Sequence, residues 1–218
     1  MWKNLVFFER VGGVLLEPKK TFNRILEENI GFGEPILLLI VFFGVETALI
    51  GVILARISST ILGSLGRLFG GFIQPPSLTF LYWLIPIGTT ITTIIVVLIS
   101  WLILVGLTHF SAKYFFKGLG KFSQLLKLYG YSSILLFLPI FGAVILIINP
   151  KLLIYSLILS FISIFWLIVI WVAAVESCHK IDAGKAFFSA FVWPLAIWLI
   201  ITFSLWFSTP MVIRGIFS

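Results

Sequence analysis

Two small groups of residues carry the functional groups from which chemistry is built. Glu46 is the single charged residue in the apolar run from Pro35 to Ala55, and Thr89, Thr90, Thr92 and Thr93 interrupt a second run from Leu81 to Phe110. A carboxylate so placed, with no Lys or Arg at comparable depth, is expected to be protonated or hydrogen bonded to such hydroxyls rather than ion paired. That arrangement suits either polar glue at a helix contact or a proton or ion site. The second group is Glu176, Cys178, His179 and Asp182 at the end of a later run, with His109 at the end of the Thr-bearing one. Glu176 and His179, three residues apart, would share a helical face, and a borderline metal accepts this ligand set. There is no second Cys, no CxxC and no HExxH, so structural or recognition roles fit better, and Asp182 reads as a helix N-cap. Hydrolysis needs a nucleophile, a base and a group to orient the base; no GxSxG, no phosphate loop and no carboxylate pair within one run is present. No enzyme activity, metal or cofactor is expected.

The elements that must hold these groups are not those of a water-soluble domain. The 218 residues are 61% hydrophobic, 17% aromatic and 11% charged, and the mean hydropathy is +1.19, against about 25% charged residues in ordinary globular chains. Charge-free runs of 45, 23, 24 and 28 residues extend over 68–112, 128–150, 152–175 and 186–213. Each can cross a bilayer, which takes about 20 apolar residues. Without the alternation of a closed barrel the spans are helices. The expectation is an all-α polytopic membrane protein with five transmembrane helices, over about Pro35–Ala55, Leu81–Phe110, Tyr131–Ile148, Leu152–Val175 and Ala186–Ser208. Pro86 either kinks the second span or precedes its true start. Asn149-Pro150 predicts a tight antiparallel hairpin of the third and fourth spans. Gly44-xxx-Ala48 and Gly51-xxx-Ala55 predict close approach by another helix. Residues 57–73 read as a short interfacial or re-entrant helix. Residues 1–34 precede the five-helix domain of 35–218 as an amphipathic segment. There Glu17-Pro18 starts a helix whose Phe22, Ile25, Leu26 and Ile30 oppose Lys19, Lys20, Asn23, Arg24, Glu27 and Glu28, and this helix is expected to lie in the membrane surface. The opening residues are too charged for a signal peptide, and the lone Cys178 forms no internal disulfide.

Of the 15 Lys and Arg residues, eleven precede the first span or lie in the second–third and fourth–fifth connections, leaving Arg56, Arg67, Lys151 and Arg214 opposite. The positive-inside rule then predicts a cytoplasmic N-terminus and an outside C-terminus. The net charge of +7 describes a basic membrane face toward anionic lipid headgroups rather than a nucleic-acid surface, for no folded basic domain carries it. Most Trp and Tyr fall near predicted interfaces.

Three segments together resemble a known family. Leu15-Leu16-Glu17-Pro18-Lys19-Lys20-Thr21-Phe22-Asn23-Arg24-Ile25 is similar to the pattern before the first span in prokaryotic members of the Yip family, named for interaction with Ypt/Rab GTPases. Leu107 to Lys113, Gly118 to Leu126 and Tyr129 to Ser132 resemble its second cytoplasmic loop, and His179 to Ala186 its turn before the fifth helix. The resemblance implies a polytopic helical bundle with a cytoplasmic N-terminus and, in eukaryotic members, vesicle transport between endoplasmic reticulum and Golgi. The family's Gly-Tyr carries over onto Gly130 and Tyr131, but Leu135 stands where its proline follows; Pro139 is the nearest. Residues 1–34 are also short for a Rab-docking region, so the chain looks like the prokaryotic branch. A small GTPase is a partner only if the eukaryotic role carries over. Its membrane is then the cell membrane if prokaryotic, or endoplasmic reticulum or Golgi if eukaryotic.

The expected function is a non-enzymatic membrane organiser or trafficking-type adaptor, alone, as a homo-oligomer or with another membrane protein. Its recognition residues would be His109, Lys113, Lys117, Lys121, Gly130, Tyr131, Glu176, His179, Asp182 and Lys185. The alternative is a small proton or ion transporter or channel using Glu46, Thr89, Thr92 and Thr93.

Overall fold

The structure is a computed structural model that describes residues 2–28, 30–68 and 76–202, and every described element is helical. Five helices are long and apolar enough to cross a membrane: Gly33–Ile61, Leu84–Phe115, Phe122–Ile148, Pro150–His179 and Ala183–Thr202. Their outer faces are lined with Ile, Leu, Val and Phe, which suits hydrocarbon as the surrounding solvent.

The N-terminal segment folds as two helices, α1 (Trp2–Leu16) and α2 (Pro18–Glu27), with Pro18 at the first position of α2, where its missing N–H costs nothing. The apolar face of α2 was expected to rest on lipid. Instead Phe22 and Ile25 are 0% and 1% exposed and join Val14 in the same core as the spanning helices. The Trp166 indole donates to Leu15 O (3.0 Å), which fixes the end of α1 against the fourth span.

Helix α3 (Gly33–Leu68) and helix α4 (Pro76–Phe110) pack against each other. The separate helix expected at 57–73 is not formed: residues 57–68 continue α3 without a break, and 69–73 lie outside the described residues. An apolar helix has no reason to stop where no Pro or cap intervenes. Pro86 sits inside α4 rather than before it. The close approach expected of the small-residue spacing is made at Gly51 and not at Gly44. A Cβ on Gly51 would lie 2.6 Å from Pro86 Cα, whereas one on Gly44 would meet only Ile94 Cδ1 at 3.7 Å.

The third span begins nine residues before the expected Tyr131. It is made of α5 (Phe122–Tyr131), a 3-10 segment (Ser132–Leu136) and α6 (Phe137–Ile148). At Asn149-Pro150 the chain reverses into α7 (Leu153–His179), with Asn149 Oδ1 accepting from Lys151 N (3.1 Å) and Gly142 seated on Ser156. The fifth span opens with α8 (Ala183–Phe187) and passes through a π-helical turn (Phe188–Val192); residues 203–208 of the expected span lie outside the described residues.

Candidate functional site

The polar contacts gather at one end of the bundle, where α1, α2, the α4–α5 loop and the end of α7 meet. Arg10 is 6% exposed and is held there by two carboxylates. Its Nη2 donates to both oxygens of Glu34 (2.7 and 2.8 Å) and its Nη1 to Glu28 Oε2 (3.0 Å), while the Tyr131 hydroxyl donates to Glu34 Oε2. The two terminal nitrogens of the guanidinium thus go to different carboxylates, and the charge-assisted bonds tie α1 both to the end of α2 and to the start of α3. Arg24 extends the network, bonding Glu28 Oε1 (2.7 Å) and more distantly Glu9 (3.4 Å). The Arg24 guanidinium, followed by Arg10, holds the Glu28 carboxyl below the usual carboxylate range. A Cβ on Gly130 would lie 2.7 Å from Pro35 Cβ, so the Gly-Tyr pair serves close contact with α3. Gly130 and Tyr131, recognition candidates by sequence, are buried inside the bundle.

The second feature is the α4–α5 loop, seated on the last turn of α7. After α4 a π-helical turn (Ser111–Phe115) leads to Lys117 at φ 55°, and Gly118 N donates to Ala112 O (2.9 Å). Leu119 N then donates to His179 O (3.0 Å). A Cβ on Gly120 would be 2.6 Å from Cys178 O, so backbone meets backbone and glycine is required by close approach. The loop closes on α5, where Gln124 Oε1 accepts from Lys121 N (3.1 Å). Under it His109 Nδ1 and His179 Nε2 lie 3.2 Å apart, their one shared hydrogen bond fixed by the tautomers, with Phe122 edge-on to His109. Two π turns, from α4 and from the fifth span, face each other through Ser111 Oγ and Ser189 Oγ (3.2 Å). Such turns widen a helix locally and recur at functional positions.

The remaining expected residues fall into three sets. Glu176 bonds Lys19, and Lys180 Nζ donates to Asn23 Oδ1 (2.9 Å), so α2 is strapped to the end of α7. Asp182 caps α8 by accepting from Lys185 N (3.0 Å), as its spacing predicts, and its carboxyl is held low by the Lys185 side chain. Lys113, Lys117 and Lys121 are exposed and make no ion pair among the described residues, in contrast to Lys19, Lys20, Arg24 and Lys185, each bonded to a carboxylate. His179, a recognition candidate by sequence, is fully buried.

Of the two states expected for Glu46, protonated or hydrogen bonded to the threonines, the second is not made among the described residues. Thr89 Oγ1 donates to Ile85 O (2.7 Å) and Thr90 Oγ1 to Pro86 O (2.7 Å), because a helical Thr reaches its own carbonyl four residues back. Thr92 is exposed at the apolar surface and Thr93 is half-buried. No three His, Cys, Asp or Glu side chains among the described residues converge as metal ligands; Glu176 turns to Lys19, and His179 to His109.

Sequence reasoning passed over Arg10 and Glu34. Both look like ordinary charges beside apolar stretches, and the signal for them, a Tyr opposite a carboxylate and an Arg, is spread over 121 positions of chain. No curated protein and no solved structure matches the chain. The sequence pattern of the Yip1 domain matches residues 12–215, which takes in the strapped N-terminal helix, the seated loop and all five spans; the chain belongs to the Yip1 domain family.

Proposed function

We propose that this protein is a non-enzymatic membrane organiser whose lysine-rich end, facing the cytoplasm, gathers anionic phospholipid headgroups and through them a membrane partner. The observation that carries this reading is the division of the cations. The α4–α5 loop presents Lys113, Lys117 and Lys121 without carboxylates, among exposed Tyr114 (66%) and Leu119 (82%). Lysines beside aromatic and aliphatic side chains suit the headgroup region, where each cation near an anionic surface is worth about 1 kcal/mol. Lys127 lies 5.0 Å from the centre of the Phe32 ring and so belongs to the fold instead. The N-terminal helices are spent on packing, which supports a lipid rather than a small GTPase as the first partner.

The test is the lipid retained by the purified chain after extraction from vesicles of equal phosphatidylglycerol and phosphatidylcholine, counted by native mass spectrometry. The wild type should carry phosphatidylglycerol in several-fold excess, falling toward parity in the K113Q/K117Q/K121Q variant and in high salt. A K20Q/K185Q variant, which breaks only neutralised pairs, should behave as wild type. Equal retention of both lipids by the wild type would reject the proposal.

A further inference from the structure

In the half of the spans nearer the lysine-rich end the helices leave a cavity of about 440 Å³ between α4 and α7, floored by the 3-10 segment and by Leu39 and Phe43 of α3. Its volume falls in the roughly 300–1,000 Å³ range of small-ligand sites. The cavity exists because small residues stand where large ones would fill it: Ser100 on α4, Ser132 and Ser133 on the 3-10 segment, and Ser163 on α7 all line it. We propose that this cavity binds one acyl chain of a membrane phospholipid.

The chemistry of the wall selects hydrocarbon. Ser132 Oγ donates to Tyr129 O (2.6 Å), Ser133 Oγ to Gly130 O (2.7 Å) and Ser163 Oγ to Leu135 O (3.1 Å), while the Trp171 indole donates to Ser132 Oγ (2.9 Å). Those protons are spent on the protein, so a polar guest gains little from them. Left empty, the cavity forfeits the contacts of every lining atom. Ser100 is exposed at the surface of α4, which opens the cavity toward the surrounding hydrocarbon, where acyl chains are the abundant solute. One donor on the α4 wall, Trp101 Nε1, is buried without an acceptor, and an ester carbonyl is an acceptor that an acyl lipid brings and a plain hydrocarbon lacks. Trp101 and Trp171 on opposite walls make the site optically visible.

The full chain, purified and stripped of lipid in detergent, is titrated with phosphatidylcholine carrying brominated chains, and tryptophan quenching is followed. The zwitterionic headgroup makes this test independent of the lysines in the proposed function. Quenching should saturate, reverse with unbrominated phosphatidylcholine, and correspond to one lipid per chain by native mass spectrometry. Val97→Phe and Ser100→Phe, which fill the cavity or its mouth, should weaken the apparent affinity at least tenfold. Ile99→Phe, on the exposed face of the same helix, should not. Quenching that never saturates in the wild type overturns the proposal whether or not the variants fold. So does unchanged affinity in folded Val97→Phe and Ser100→Phe, or tighter binding of a brominated free fatty acid than of the phospholipid.

Discussion

Arg10 is where a single substitution should cost most. It is almost fully buried against Glu28 and Glu34; without it Glu28 keeps Arg24, but Glu34 keeps only the Tyr131 hydroxyl among the described residues, and α1 loses its tie to α3. Arg10→Ala is expected to lower unfolding stability by about 3 kcal/mol, read from denaturation in mixed micelles. Lys20→Ala, which removes an exposed pair with Glu17, should change it by less than about 1 kcal/mol. The network also sets a pH dependence. Because Arg24 and then Arg10 hold the Glu28 carboxyl below its ordinary value of 4.5, its contribution is complete above that pH and lost as pH falls through the depressed folded-state value. Thermal unfolding followed from pH 7 downward should therefore show a decline below about pH 4.5. Glu28→Gln should flatten that decline while lowering stability at pH 7. None of this was legible in the sequence, since Arg10 and Glu34 are 24 positions apart and meet Tyr131 only through the fold.

Helices meet here through positions that carry no side chain. Gly51 lets the backbone of α3 approach Pro86, and Gly120 lets the α4–α5 loop rest on Cys178. Gly51→Ala should destabilise by about 1–3 kcal/mol, since the obstacle is backbone. Gly44→Ala, with only a flexible Ile94 methyl in ordinary contact, should be neutral or slightly stabilising, as expected when a helical Gly gains a Cβ. Gly120→Ala should lift the loop from α7 and make buried Cys178 react with a maleimide several-fold faster than in the wild type. The α3–α4 contact was legible as small residues four apart. The seated loop was not, because Gly118 and Gly120 read only as turn residues until α7 is beneath them.

At the scale of the molecule, the lysine-rich segments share one end: Lys19 and Asn23 bond the last turn of α7, Leu119 bonds His179, and Arg56 Nη1 reaches Ile147 O (2.7 Å) near the α6–α7 turn at the other. With Cys178 replaced by Ala, cysteines at Ser123 and at Lys151 should be labelled from opposite sides of sealed vesicles by an impermeant thiol reagent. Labelling of both from one side would contradict the proposed orientation. The sequence by itself determined the solvent, the number of spans and the tight turn at Asn149-Pro150, because hydropathy and turn chemistry are local and a bilayer imposes one length scale on every crossing. Only the tertiary structure decided that the amphipathic N-terminus is part of the core, that α5 enters the third span, and which charges are neutralised. Those outcomes depend on which faces meet, and a periodic apolar pattern presents a face without naming whether lipid or protein covers it.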